Sequence, residues 1–181
     1  NYTSDYTQPN SLAVQTYDIA QKDKTGILFI GRVTKIRGVY EFGKIVEKYL
    51  NGITLHVVGD FAADGSEALM KSLNAANIIF HGKKSHDELS DILDECFCGV
   101  LPYLDVPNHR NCTPNKLFEY LKFGLPVLVN RLPNDGNFVI PSKIHKKFNI
   151  TDTSSVVQVV NSSYDEWSTL QKDTKLELDL F

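Results

Sequence analysis

The stretch "GILFIGRVTKIRG", residues 26–38, decides the fold. Ile27 to Ile30 form an unbroken apolar run of strand length, the way a strand buried on both faces of a parallel sheet reads. Gly31 lets the chain turn tightly at the strand end, and a basic loop follows. After Gly38, the residues Val39, Phe42, Ile45, Val46, Tyr49 and Leu50 recur at spacings of three and four, one face of a helix. The same alternation continues downstream. "TLHVVGD" (54–60) reads as a strand and "GSEALMKSLNAA" (65–76) as a helix, started by Ser66 or by the Asp64–Gly65 turn. "NIIFHGK" (77–83) is a third strand. "SHDELSDILDEC" (85–96) is a helix capped by Ser85, with Glu88 in the capping-box place. "FCGVLPYL" (97–104) is a fourth strand. "NCTPNKLFEYLKFGLPVLVN" (111–130) supplies a helix and leads into a fifth strand, "PVLVNR" (126–131). "FNITD" (148–152) is expected to be a sixth strand, followed by a helix near 153–162. "YDEWSTLQKDTKLELDLF" (164–181) reads as one more helix, with Trp167 and Leu170 as docking residues. This β-α-β-α order predicts a single α/β domain built on a doubly wound parallel sheet of about six strands. The expected organisation is a linker over 1–24, the α/β domain over 25–163 and a helical segment over 164–181.

Size and composition narrow the function. The chain has 181 residues, 42% hydrophobic and 23% charged, with a net charge of −3, which suits one domain with a substantial core. No basic stripe of the kind a nucleic-acid binder carries is visible. No apolar run approaches the ~20 residues that cross a bilayer. The first twenty residues lack the basic start and apolar block of a signal peptide, so a cytoplasmic location is expected. The opening Asn1 and the Pro-, Ser- and Thr-containing lead-in predict a piece of a longer protein. Three cysteines, Cys96, Cys98 and Cys112, argue against a disulfide framework and fit a reducing compartment. Cys96 and Cys98 read as small apolar residues on one face of a strand, since no second Cys/His pair has zinc spacing. The sequons at Asn1, Asn111, Asn149 and Asn161 read as chance matches.

Doubly wound sheets bind ligands outside the C-terminal ends of their strands, so the loops there carry the functional information. In the first, Arg32, Lys35 and Arg37 place three cations within six residues. Two guanidinium groups could clamp a diphosphate; the alternative is a solvated basic loop. In the second, Asp60 would suit a ribose only after a G-x-G-x-x-G turn, which is missing, so it reads as a turn residue. The third holds Lys83 and Lys84, with His81 and His86 lacking a third metal ligand. The fourth, 104–114, is the longest, and long loops in compact domains are often functional. It ends in Thr113, a good N-cap, and Pro114, a favoured first helical residue. The amino end of that helix attracts anions. Further along, Lys116 and Glu119 lie on neighbouring faces. The carboxylate would either accept hydrogen bonds from a sugar diol or form a plain i,i+3 ion pair worth only ~0.2–0.5 kcal/mol.

Taken in order, three of these pieces look familiar. "ILFIGRVTKIRG" is similar to a first strand with a G-R-x(4)-K-G loop. "LHVVGD … NIIFHGKKSHDELSDILDECFCGVLPY" is similar to a strand ending in V-G, then F-x-G and an E-L helix. "PNKLFEYLKFGLPVLVN" is similar to a glutamate helix leading to a G-x-P-V strand. The chain thus resembles, over about 25–150, the C-terminal nucleotide-sugar-binding domain of GT-B retaining glycosyltransferases, the group that includes sucrose synthase and many bacterial hexosyltransferases.

The resemblance implies a Rossmann-like domain that is one half of a two-domain enzyme. It would move a hexose-type sugar from a nucleoside-diphosphate sugar, with retention and without a metal or other cofactor. Arg32 and Arg37, the latter in place of a lysine, would neutralise the donor diphosphate. Glu119 would be the second glutamate of an E-x(7)-E motif and hold the ribose. The amides near Cys112, Thr113 and Pro114 would approach the diphosphate or sugar, Pro114 itself having none to offer, and Gly31, Lys83, Tyr103, Asn111 and Lys116 complete the implied substrate site. One residue departs from the motif: Asn111 stands where the first glutamate would, and can hydrogen-bond a hydroxyl without bringing charge. No D-x-D motif occurs, in line with cations replacing a metal. The implied partners are the nucleotide sugar and an N-terminal acceptor domain, without nucleic acid, and with any membrane contact made through that other half. Alone, the chain would bind donor weakly and transfer little. Two rival readings remain: a degenerate transferase-like domain kept for binding or regulation, which Asn111 favours, and a receiver- or flavodoxin-like domain. A receiver would need an acidic cluster where this first strand ends in basic residues.

Overall fold

The computed structural model describes residues 24–110, 115–130 and 144–178. Among these residues six strands form one parallel sheet: β1 (Gly26–Ile30), β2 (Thr54–Val58), β3 (Ile78–Gly82), β4 (Cys96–Leu101), β5 (Val127–Asn130) and β6 (His145–Phe148), in the order β3-β2-β1-β4-β5-β6. The helices are α1 (Val39–Tyr49), α2 (Ser66–Lys71), α3 (Ser90–Glu95), α4 (Pro107–Arg110), α5 (Asn115–Lys122) and α6 (Thr153–Leu178). The expected doubly wound α/β domain is the fold observed.

The central strands are apolar throughout because both of their faces are covered. Every residue of β1 and β4 is buried. The helix-period residues Val39, Phe42, Ile45 and Val46 of α1 turn inward, and Phe42 meets Phe148 with ring centroids 5.7 Å apart. Cys96 and Cys98 are buried thiols in β4, and burial pushes both well above the usual thiol range.

Several boundaries differ from expectation, each for a local reason. The sixth strand lies at His145–Phe148 instead of 148–152. Asn149 is a turn former, its Oδ1 accepting from the Thr151 N–H and hydroxyl, and the Asp152 carboxylate accepts from the amides of Ser154 and Ser155 at the start of α6. As an edge strand, β6 tolerates two lysines. The helix expected near 153–162 and the one expected over the terminal segment are a single helix, α6. Val156, Val160 and Leu170 of α6 are buried, Trp167 packs on the core, and Tyr164 meets Phe97 edge-on at 5.4 Å. Helix α2 ends at Lys71, short of the expected 76. It starts after Gly65, with Asp64 accepting from the Ser66 amide. The helix expected over 85–96 begins as a 3-10 turn, Asp87–Leu89, before α3. Glu88 does reach back to the Ser85 amide at 2.8 Å, but the Ser85 hydroxyl also turns to that carboxylate instead of capping. Inside the long fourth loop the chain forms α4, which sequence reading left irregular.

Candidate functional site

The sheet reverses its direction of growth between β1 and β4: one half runs outward through β2 and β3, the other through β5 and β6. At such a switch point the flanking loops part and leave a crevice. The β1–β4 ladder pairs residues only as far as Leu28↔Gly99. Beyond it, a side chain takes over. The Ile30 N–H donates to the Tyr120 hydroxyl at 2.8 Å, and that hydroxyl faces the Val100 carbonyl at 3.2 Å. Tyr120 is fully buried, and a Cβ at Gly99 would fall 2.5 Å from its ring. Burial holds its phenol well above the usual range, so it stays neutral. Tyr120 thereby ties α5 to both parting strands, which brings Lys116 and Glu119 to the crevice. Lys116 Nζ lies 2.7 and 2.6 Å from the two Glu119 carboxylate oxygens, both side chains partly buried.

The opposite wall is the first basic loop. Gly31 has φ +139°, and a Cβ there would stand 2.8 Å from an Arg37 guanidinium nitrogen and 3.8 Å from Lys116 Cε. Glycine therefore does more than turn the chain; its bare backbone is the seat for Arg37. Residues Lys35–Arg37 form a 3-10 turn tied by the Lys35 amide to Asp64 Oδ2 at 2.8 Å. That bond, with those from Ser66, draws the Asp64 carboxyl down to about 2. The turn is also fastened to the fourth loop. The Leu104 amide donates to the Ile36 carbonyl at 3.0 Å. Gly38, at φ +69°, packs so closely on the Pro102 carbonyl that any Cβ would collide with it. The Arg37 guanidinium lies over the Tyr103 ring, 5.5 Å from its centroid, and the His109 ring stacks on Tyr103 at 4.7 Å.

Gly31, Arg37, Lys116 and Glu119 are thus neighbours at the switch point, with Tyr103 beneath Arg37. Arg32 and Lys83 take a different station. Lys83 Nζ is 3.4 Å from Asp60 at the end of β2, and Arg32, exposed, adds its field there. Desolvation pushes the Asp60 carboxyl up, but Lys83 and Arg32 outweigh it and hold the group below the ordinary range. Asp60 is more than a turn residue: it pairs with Lys83, expected in the substrate site, and stands in the field of Arg32, expected at the diphosphate. Asn111, Cys112, Thr113 and Pro114 lie outside the described residues. Sequence reading missed Tyr120, His109 and Asn130. Asn130 is buried at the end of β5, donates to the Tyr103 carbonyl at 2.8 Å and accepts from the Ile150 amide at 2.9 Å. A polar atom among apolar neighbours could have marked Tyr120 and Asn130, whereas His109 stands in the polar run "DVPNHRN" and carries no such mark.

The family described as "Glycosyl transferases group 1" matches this chain over residues 24–158. A Bacillus subtilis (strain 168) protein named as a teichuronic acid biosynthesis glycosyltransferase, TuaH, is 28% identical over 116 residues, which cover 63% of this chain and 29% of TuaH. Among solved structures, sucrose-phosphate synthase from Thermosynechococcus elongatus superposes with a TM-score of 0.68 at 18% identity, covering 87% of this chain and 41% of that one. Anabaena HepE in complex with UDP superposes with a TM-score of 0.64 at 11% identity, covering 85% of this chain and 44% of that one. The chain spans less than half the length of each of these three proteins.

Proposed function

Because the chain belongs to the group 1 glycosyl transferases, we propose that it is the donor-binding half of a retaining, metal-independent, cytoplasmic glycosyltransferase that takes a hexose-type sugar from a nucleoside-diphosphate sugar. One observation carries the reading: the Arg37 guanidinium lies against the bare backbone of Gly31, beside Lys116, in the crevice of the switch point. Two phosphates there would meet a planar, bidentate donor and a second cation. As the bond from the anomeric carbon to the diphosphate oxygen breaks, its electron pair stays with that oxygen. Positive groups already in place stabilise the charge that develops. Arg37 and Lys116 serve in that role, with Arg32 and Lys83 at the neighbouring strand ends and no cofactor. Glu119 takes the ribose hydroxyls once phosphate draws Lys116 from its carboxylate. Tyr103, being buried, supports Arg37, while Asn111 and the amides of Cys112 and Thr113, ahead of Pro114, would serve the sugar side. The acceptor would bind a further, N-terminal domain, through which any membrane contact is made, so this chain alone binds donor and transfers little. Asn111, in the place of an acid, favours the alternative of a binding or regulatory domain without transfer.

UDP is the first nucleotide to test, since HepE, which shares the fold, is seen with it. Amide shifts followed during titration with UDP, GDP and ADP, each with and without glucose attached, are expected to move at Gly31, Arg37 and Glu119 for one nucleotide. A folded sample indifferent to all six would refute the donor reading.

A further inference from the structure

We infer that Tyr103 and His109 are positioning residues for the donor phosphates: their stacked rings hold the Arg37 guanidinium beside Gly31 before any nucleotide arrives. This rests on the donor-site reading above and adds to it two residues that touch no ligand. Both residues are buried, each 7% exposed, so neither offers a surface to a substrate. What they offer is a platform. A guanidinium within about 6 Å of a ring centroid is held by the ring quadrupole, and here the distance is 5.5 Å. The His109 ring backs Tyr103 at 4.7 Å and 28° between planes.

The platform is itself fixed on three sides. The His109 Nδ1–H donates to the Leu104 carbonyl at 2.9 Å; a carbonyl only accepts, so the hydrogen sits on Nδ1. Asn130 pins the Tyr103 carbonyl, and the Leu104 amide ties the next residue to Ile36, next to Arg37. A free arginine loses much rotamer freedom when it binds phosphate, and an arginine already held in its bound geometry does not. The stack also gives a physical reason for arginine at position 37: a lysine has no planar face to lay on the ring.

The test is a double-mutant cycle on nucleotide affinity in the full chain, using UDP or whichever nucleotide the titration selects. Tyr103→Phe keeps the ring and is expected to leave Kd within about two-fold of the parent, while Tyr103→Leu weakens binding about ten-fold, the scale of a desolvated cation–π contact. In the Arg37→Ala background, Tyr103→Leu should change Kd by less than about two-fold, because nothing remains to position. His109→Leu repeats the cycle should Tyr103→Leu fail to fold, with a loss of about three-fold expected only when Arg37 is present. Equal losses in both backgrounds would overturn the proposal, since the rings would then serve the fold or the ligand directly. A Tyr103→Phe loss as large as that of Tyr103→Leu would overturn it too. A parent chain that binds no nucleotide removes the donor reading itself, an outcome distinct from binding without coupling.

Discussion

At the scale of single residues, Tyr120 does work that its neighbours in the sequence conceal. The strands β1 and β4 separate after Leu28↔Gly99, which would leave the Ile30 amide and the Val100 carbonyl buried and unpaired. One phenol hydroxyl serves both. Tyr120→Phe keeps the ring against Gly99 and strands both groups, so a loss of ~1–3 kcal/mol in unfolding free energy is expected from urea denaturation. A change under about 0.5 kcal/mol would mean that the hydroxyl does not matter to the fold. Lys116 and Glu119 were legible as a pair because i,i+3 spacing places them together on any helix. Tyr120 was not, because in "KLFEYLKFG" it falls among apolar residues and its partners are 20 and 90 positions away. The seat of Arg37 was half legible. Basic residues in a loop after the first strand can be read directly, whereas a stack with rings from the fourth loop depends on how two loops meet in space.

At the scale of elements, β2, β3 and the end of α3 share a titrating cluster. The rings of His56 and His81 stack with Nδ1 and Nε2 3.0 Å apart, and His56 Nε2 is 3.5 Å from Glu95. One nitrogen must donate and the other accept, so the contact requires at least one neutral ring. Desolvation lowers both histidines; Glu95 partly opposes this, while His81 acts against His56 and Lys84 against His81. The sign follows. Between the lowered folded values and the ordinary value of 6.5, the unfolded chain binds more protons than the folded one. Stability from this cluster is therefore full above pH 6.5 and is lost as pH falls below it. Urea midpoints measured from pH 7.5 to pH 5 are expected to fall, and the double variant His56→Phe with His81→Phe should flatten the curve over that window. An equally steep fall in the double variant would place the sensitivity elsewhere. The cluster was invisible in sequence because the two histidines meet across a parallel pair, whose register no local pattern fixes. The sixth strand was misplaced for a related reason. Its residues "HKKF" lack the apolar run that marks a central strand, and at an edge they need none.

At the scale of the whole molecule, the alternation of strands and helices was enough to name the fold, because right-handed crossovers between parallel strands leave few topologies open. Which two strands would part was beyond it, and the candidate site is built where they do. Its walls come from the loop after β1, the loop after β4 and the start of α5, elements joined only through the folded sheet. A donor nucleotide bound there contacts the native state and finds no site on the unfolded chain. By mass action it should stabilise the fold by ~2.7 kcal/mol at one hundred times its Kd. In a chain of this length each kcal/mol raises the melting temperature by about 2–4 °C, so a rise of about 5–10 °C with UDP is expected by calorimetry. Arg32→Ala combined with Arg37→Ala should abolish that rise. Arg32 is exposed, so its removal leaves the ligand-free melting point nearly unchanged, and a drop in the double variant reports the contacts of Arg37 with Tyr103 and Gly31 together. A full nucleotide-dependent rise surviving in the double variant would show that the phosphates are held by other groups, and the switch-point crevice would lose its claim to the donor.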